Sequence, residues 1–527
     1  MEHKIADSED FLPAAPFTGG VSNSAKAEKE ESRPKPYPLT HGRGVIKVPL
    51  SDETLNEVTI QKYLPRVLSK HAINATECNH FEHVYRGDMQ ILDKQRPYAS
   101  EDKSNTIVVE NHINYMVEFK KGYMYGNPVK YSIDDDSLIT DELSYLDRYM
   151  KDRNKARKDI DMAETVFKCG NAYRMVLPRS RNVFNLEKQA PFEMYNLDNR
   201  FAFVVYSSGY TGEKIMGGVI TELDSTNPDQ HEYEILVYTR EYIYRYKCYS
   251  LLPTWEMLTF KNKSPNPIGM IPIVEFYVNT ARMGVCDLAE SMNNAINSMS
   301  SDSVDAINDF VNSILVFENQ VVDKETKTAM DELGAILLQT NDPSKPAKAY
   351  YLVNQLQQAD VLTKYETMIK WMYNIVGVPQ PTQKSTSGGD TGEARELGGG
   401  WENANIVANQ HEEPLKDGDM RVLAIVLRIC SMTPNCPVKT LFPSDIEINF
   451  NRTRSNNVLT KTQSLQTLVS MNMPKEIALN IVGITGNSHE VAEAWEAEVE
   501  KSKQEAMELA QKQQESQEGN EPENKEE

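Results

Sequence analysis

MGVCDLAESMNNAINSMSSDSVDAINDFVNSILVFENQVVD, Met283 to Asp323, decides how the chain is read. These residues include no lysine and no arginine, although 56 of the 527 residues of the protein are basic. Asp287, Glu290, Asp302, Asp305, Asp309, Glu318 and Asp323 are acidic. Val285, Leu288, Met292, Ile296, Met299, Val304, Ile307, Val311 and Ile314 recur at helical intervals. That spacing predicts one long amphipathic helix over about 284–315, ~48 Å in length, running into a strand. Its other faces carry only Asn, Ser, Asp and Glu, among them Asn294 and Asn297. A solvated helix face normally mixes cations with carboxylates so that i,i+4 pairs form, and here the helix supplies no cation. One reading is an ordinary amphipathic helix with a wet side. The other is a wall along which DNA passes. A lysine-lined wall would hold phosphates by counterion release, whereas amides, hydroxyls and carboxylates leave a polyanion free to move.

Working outward, the net charge of −21 argues against a conventional DNA-gripping surface. It leaves open a wall that DNA passes without being held. The cysteines Cys78, Cys169, Cys248, Cys286, Cys430 and Cys436 include no C-x-x-C pair and read as free thiols of a reducing cytoplasm. The first residues lack the apolar core of a signal peptide, and no apolar run approaches ~18 residues, so no membrane span is expected.

The remaining pattern predicts an α+β chain. Residues 1–50 read as a mobile arm rich in Pro, Gly, Ser, Lys and Glu. A short helix over 54–72 is expected to break at Pro65. NHINYMVEFKKGYMYG, 111–126, is an amphipathic helix stopped by Gly126-Asn127-Pro128, and 138–169 is a second helical region. AYRMVLP, FAFVVYSS, GGVITEL, YEILVYT and YIYRYKCYS then read as one antiparallel sheet over 172–260, with 265–279 as an extended crossover out of it. Beyond the long helix, ILVFENQVV, GAILLQT and AKAYYLV make a small α/β excursion from which a helix over 359–376 returns. GVPQPTQKSTSGGDTGEARELGGGW, 377–401, opens as a loop. A helix kinked at Pro414 follows, then the strand FPSDIEINFNRTRS, a helical region over 456–509 and an acidic tail.

Catalytic chemistry finds no anchor. Gly388-Gly389-Asp390-Thr391-Gly392 is followed by Glu393-Ala394, not by the Gly-Lys-Ser/Thr of a phosphate loop. Cys78, His80, Glu82 and His83 crowd together without a second ligand cluster nearby. No nucleophile elbow and no H-E-x-x-H occur. No catalytic residue, metal or cofactor is therefore assigned.

The order of the segments resembles the portal proteins of tailed bacteriophages over about 81–495. FEHVYRGDMQIL and NTIVVENHINYMVEFKKGYMYGNPVKYS are similar to that family's opening segment, with a Tyr-x-Gly turn, an Asn-rich strand and a helix ending in Gly-x-Pro. VFKCGNAYRMVLP resembles its first sheet strand. NPIGMIPIVEF and the helix after it resemble the run into the stem helix. GVPQPTQKSTSGGDTGEARE resembles the tunnel loop and INFNRTRSNN the strand behind the kinked helix.

The resemblance implies a wing over 51–282, a stem helix over 283–315, a clip over 316–358 and a second stem helix over 359–376. It further implies a tunnel loop over 377–397, a kinked helix and wing strand over 398–455, and a helical crown over 456–509. It implies a ring of about twelve copies at a capsid vertex, assembled in the bacterial cytoplasm. Double-stranded DNA would pass through it. The large terminase subunit, major capsid and scaffolding proteins and neck or adaptor proteins would dock on it. Tunnel-loop residues Gln383, Lys384, Ser385, Thr386, Ser387, Gly388 and Gly389 would meet the DNA, and Asp287, Glu290, Asn294, Asn297, Asp302, Asp305 and Asp309 would line the channel. Two other classes stand beside this reading. One is the packaging ATPase, which the missing Walker loop disfavours. The other is a soluble α+β scaffold or adaptor of the head–tail junction without a channel.

Overall fold

The computed structural model describes residues 43–94, 105–133, 137–179, 185–223, 231–311, 314–318, 346, 348–352, 358–380, 400–452, 458–471, 473–482, 491–492, 494–505 and 507. The arm before Arg43, the stretch GAILLQT, the tunnel-loop residues from 381 onward and the acidic tail lie outside them.

Asn56 opens the first helix, α1 (Glu57–Arg86), by accepting the N–H groups of Val58 and Thr59 on its side chain. Gly87, at φ 95°, closes it. Pro65 lies inside this helix and does not end it, against the sequence expectation. Burial explains why. Ile60, Leu64, Val67 and Leu68 pack α1 onto a sheet, while Cys78, Phe81 and Val84 seat its second half in a helical core. Packing on both sides of the proline outweighs one missing hydrogen bond.

The helical core also takes α2 (His112–Tyr125), α3 (Ser137–Asp152) and α4 (Lys155–Cys169). The strands are β1 (Ile46–Val48), β2 (Lys130–Ser132), β3 (Asn171–Pro178), β4 (Phe192–Leu197), β5 (Ala202–Ser207), β6 (Lys214–Leu223), β7 (Glu232–Tyr238), β8 (Tyr242–Cys248), β9 (Thr259–Pro265) and β10 (Ile273–Tyr277). The expected single sheet is two. One has the order β1-β5-β6-β7-β8-β9, antiparallel except at β1–β5. The other is β10-β3-β4. The segment expected as a crossover thus holds β10, whose Ile273 to Tyr277 pair with Met175 to Asn171. Tyr173, Met175, Ala202, Val204, Tyr238, Ile271 and Ile273 fill the space between the sheets.

The helix predicted from Met283 is α5 (Val285–Val311), 27 residues and ~40 Å long. Strands β11 (Ile314–Glu318) and β12 (Lys348–Leu352) pair antiparallel, and α6 (Gln358–Val376) packs back along α5. Gly400, at φ 81°, precedes α7 (Trp401–Met432), which carries Pro414 within it. Strand β13 (Glu447–Asn449) joins β2, and α8 (Val458–Ser470) and α9 (Lys475–Val482) follow.

A buried ionic chain ties α4, β2, β3 and α7 together. Arg174 on β3, with no exposed surface, donates to Asp159 on α4 at 2.6 Å. Asp159 also accepts from Lys155 at 2.7 Å, and Lys155 reaches Asp419 on α7 at 3.2 Å. Tyr131 on β2 donates to the same Asp419 carboxylate at 2.9 Å. Burial works against the charge of Asp159, but Lys155 and Arg174 hold its carboxyl below the ordinary range.

Candidate functional site

The polar face of α5 does not stand empty. Residues 105–110 run extended along it and give it alternate backbone N–H groups. Glu110 N–H donates to Asn297 Oδ1 at 2.8 Å, Val108 N–H to Ser301 Oγ at 3.0 Å and Thr106 N–H to Asp305 Oδ1 at 2.7 Å. The register has a simple cause. Four helical residues advance ~6.0 Å and two extended residues ~6.6 Å. A ladder of acceptors at i, i+4 and i+8 therefore keeps step with N–H groups at j, j−2 and j−4. Ile107 and Val109 alternate outward and are exposed. Asn297, Ser301 and Asp305 have no exposed surface. Asn293 continues the same row. Its amide and that of Asn297 donate to the Met89 sulfur at 2.9 and 3.0 Å.

The missing cations come from elsewhere in the chain. The Arg43 guanidinium meets Asp287 at 2.5 Å and Glu77 at 3.1 Å, and donates to the carbonyls of Cys169 at 2.5 Å and Arg282 at 2.8 Å. It thereby ties the C-terminus of α4, whose partial negative charge favours the cation, to the N-terminus of α5, whose partial positive charge favours Asp287. Burial raises the Asp287 carboxyl above its ordinary pKa, with Arg43 pulling the other way. His80 lies 2.7 Å from Glu290, and Lys94 pairs with Asp302 at 2.6 Å and Asp305 at 3.6 Å.

Glu110 sits where α5 and α6 meet. Its carboxylate accepts from Ser300 of α5, from Tyr365 of α6 at 2.5 Å and from His112 at 3.0 Å. Burial pushes this carboxyl up, and the hydrogen bonds from Ser300, Tyr365 and His112 more than offset it, so its pKa is lowered. Burial and the adjacent Glu110 push the Tyr365 hydroxyl up to about 12. One side chain therefore holds the extended segment to both long helices.

Against the sequence expectations the outcome is mixed. Glu290, Asn297 and Asp305 are buried inside the chain, and Asp287 is half-buried against Arg43. The channel-wall expectation is corrected for these four, because backbone N–H groups, His80 and Arg43 already occupy them. Asn294 is half-buried and Asp302 exposed on the outer side. Asp309 lies in α5, its side chain outside the described residues, and Gln383, Lys384, Ser385, Thr386, Ser387, Gly388 and Gly389 lie outside them altogether. The apolar row is corrected too: Val285 and Ile296 are buried, but Leu288 and Ile307 are 39% and 51% exposed. Sequence reasoning missed residues 105–110, Arg43 and Lys94. The i+4 recurrence of Asn293, Asn297, Ser301 and Asp305 was the available signal.

The crowded segment on α1 disperses. Glu82 turns to Lys168 and Arg86, His83 to Asp88 and His80 to Glu290, while Cys78 is buried. Among the described residues no group of three or more His, Cys, Asp or Glu side chains is arranged to hold a metal ion, and no helix is long and apolar enough to cross a membrane.

Two comparisons bear on this arrangement. The family model described as phage portal protein, SPP1 Gp6-like, matches residues 65–505. No curated protein matches the sequence.

Proposed function

The chain belongs to the SPP1 Gp6-like family of phage portal proteins, and from that premise we propose that it is the repeating subunit of a ring that conducts double-stranded DNA at one capsid vertex. The observation that carries this reading is the family match over 65–505, which spans β2 to β13, α5, α6, α7 and the helices after it. In this reading the protein has no catalytic step. DNA passes through the ring during packaging and ejection, driven by the terminase motor docked on the clip, and the neck proteins later take the motor's place.

The ring holds about twelve subunits related by rotation. Its wing is 51–282, its stem helices are α5 and α6, its clip is 316–358 and its crown 456–509. The exposed side of α5, with Ser291, Ser298 and the half-buried Asn294 beside them, takes over the channel-facing role from the buried residues of the same helix. That side carries no lysine or arginine, so it offers phosphates no lasting hold. Lys384 in the tunnel loop supplies the transient contact to DNA.

The test is the mass of the purified protein by light scattering together with negative-stain imaging. A ring of about twelve copies with a central hole supports the reading. A monomer or dimer that persists with capsid and scaffolding protein present refutes it and favours an adaptor without a channel. Lys384→Ala is expected to lower DNA packaging or retention without changing ring mass, and unchanged packaging would remove Lys384 from the mechanism.

A further inference from the structure

Six cysteines are free and buried among the described residues. Two of them stand in an arrangement that the portal reading does not use. Cys430 lies in the last turn of α7. The chain then reverses: Thr433 N–H donates to the carbonyls of Ile429 and Cys430, both at 3.1 Å, and Cys436 N–H donates back to the Thr433 carbonyl at 3.4 Å. Asn435 takes the left-handed conformation, φ 59°, that such a reversal needs. The result seats Cys430 and Cys436 in one core cluster with Tyr149. The Tyr149 hydroxyl approaches the Cys436 sulfur at 3.7 Å.

We infer that Cys430 and Cys436 are an oxidation site, a dithiol that closes to an intrachain disulfide across the end of α7. Cys78 and Cys169 are also buried, within α1 and at the end of α4. Cys430 and Cys436 instead lie beneath a surface turn whose Ser431, Met432, Pro434 and Asn435 are exposed. A small oxidant such as hydrogen peroxide reaches that turn.

The step balances as follows. The Cys436 thiolate attacks one peroxide oxygen, breaking the O–O bond, and becomes a sulfenic acid while hydroxide leaves and takes up a proton as water. The Cys430 sulfur then attacks the sulfenic sulfur, losing its proton to the departing hydroxyl, which leaves as a second water. Two electrons pass from the sulfurs to the peroxide. Cys436 is suited to attack first, because the neighbouring Cys430 thiol and the Val438 backbone favour its thiolate and lower its pKa. In the reducing cytoplasm the pair stays a dithiol, and in a particle released to an oxidising medium it closes. Only that setting rests on the portal reading; the chemistry belongs to the purified chain.

The test is peptide mapping of the full-length protein after a short peroxide treatment, with alkylation under denaturing, non-reducing conditions. Trypsin releases Ile429–Lys439, which holds both cysteines and no other. The expected result is a peptide about 2 Da lighter than the dithiol that takes no alkyl group, and takes two after reduction. Cys430→Ser is expected to abolish that mass and leave Cys436 as a sulfenic acid trapped by dimedone. Two alkyl groups on this peptide at peroxide levels that oxidise exposed Met432 overturn the inference. So does a disulfide that links either residue to a different cysteine.

Discussion

Ser301→Ala isolates one rung of the ladder between α5 and residues 105–110. Ser301 Oγ accepts the Val108 N–H at 3.0 Å and donates to the Asn297 carbonyl at 2.8 Å, and the side chain is fully buried. Alanine removes the acceptor but adds no atom, so the Val108 N–H loses its partner where water has little access. An orphaned group of this kind costs about 1–3 kcal/mol, offset by about 0.5 kcal/mol from the better helix propensity of alanine. The Asn297 carbonyl keeps its helical N–H, so that loss adds little. The net local cost of roughly 0.5–2.5 kcal/mol corresponds to about 2- to 60-fold faster opening of the segment, since 1.4 kcal/mol is tenfold. Hydrogen exchange read by mass spectrometry with fragmentation resolves the amides of 106, 108 and 110. The Val108 amide is expected to accelerate most, with Thr106 and Glu110 following if the segment opens as a unit. Ser298→Ala is the control, because Ser298 is exposed and among the described residues bonds only the Asn294 carbonyl. If Val108 exchanges at the wild-type rate in Ser301→Ala, or if Ser298→Ala does the same as Ser301→Ala, the ladder does not hold the segment.

Two further substitutions test the packing around it. Lys120 on α2 is buried, 6.0 Å from the Phe167 ring and facing His411 of α7, with no carboxylate at ion-pair distance among the described residues. Burial lowers its pKa to about 7, so the unfolded chain binds the extra proton between pH ~7 and ~10.4 and stability rises with pH across that window. Lys120→Met is expected to raise the melting temperature, most at pH 7 and below and progressively less toward pH 10; a gain that does not vary with pH contradicts this account. Gly170 ends α4 at φ 78°, and a Cβ there would lie 2.1 Å from the Arg282 carbonyl oxygen, immediately before α5. Gly170→Ala is expected to lose more than about 2 kcal/mol by denaturant titration, whereas Gly212→Ala, at φ 59° with open space around it, loses about 1; equal losses would refute the close-approach argument.

The legible parts of this chain were those set by local periodicity. The Met283 helix, the return helix ending at Val376 and the Tyr- and Val-rich strands all follow from spacings of 3.6 or 2, which neighbouring residues impose on one another. Pro65 misled because a propensity is a local quantity, and the residues that overrode it, Val67 and Phe81, act through distant partners. The division into two sheets was not legible either, since β10 reaches β3 across nearly a hundred residues of chain. The same limit governed the candidate site. A row of Asn, Ser and Asp without cations is compatible with water, with passing DNA or with another piece of the chain, and spacing alone does not choose.

The structure chooses for part of that row, and the choice divides α5 lengthwise. One side is spent inside the subunit, on residues 105–110, Arg43, His80 and Met89. Among the described residues the opposite side, with Leu288, Ser291 and Ser298 exposed, is free for anything outside it, while the exposed Asp302 at its margin is paired with Lys94. Both sides lack cations, but for different reasons. On the inner side an acceptor is required at each rung, because a backbone N–H can only donate, and lysine or arginine would offer another donor. On the outer side only Asp302 is so engaged among the described residues, by Lys94, so the absence around Ser291 and Ser298 is the part that still needs an explanation outside the chain. Weak interaction with a moving polyanion provides one. A channel-facing role for α5 therefore falls to fewer residues than the composition of the helix first suggests, those around Ser291 and Ser298.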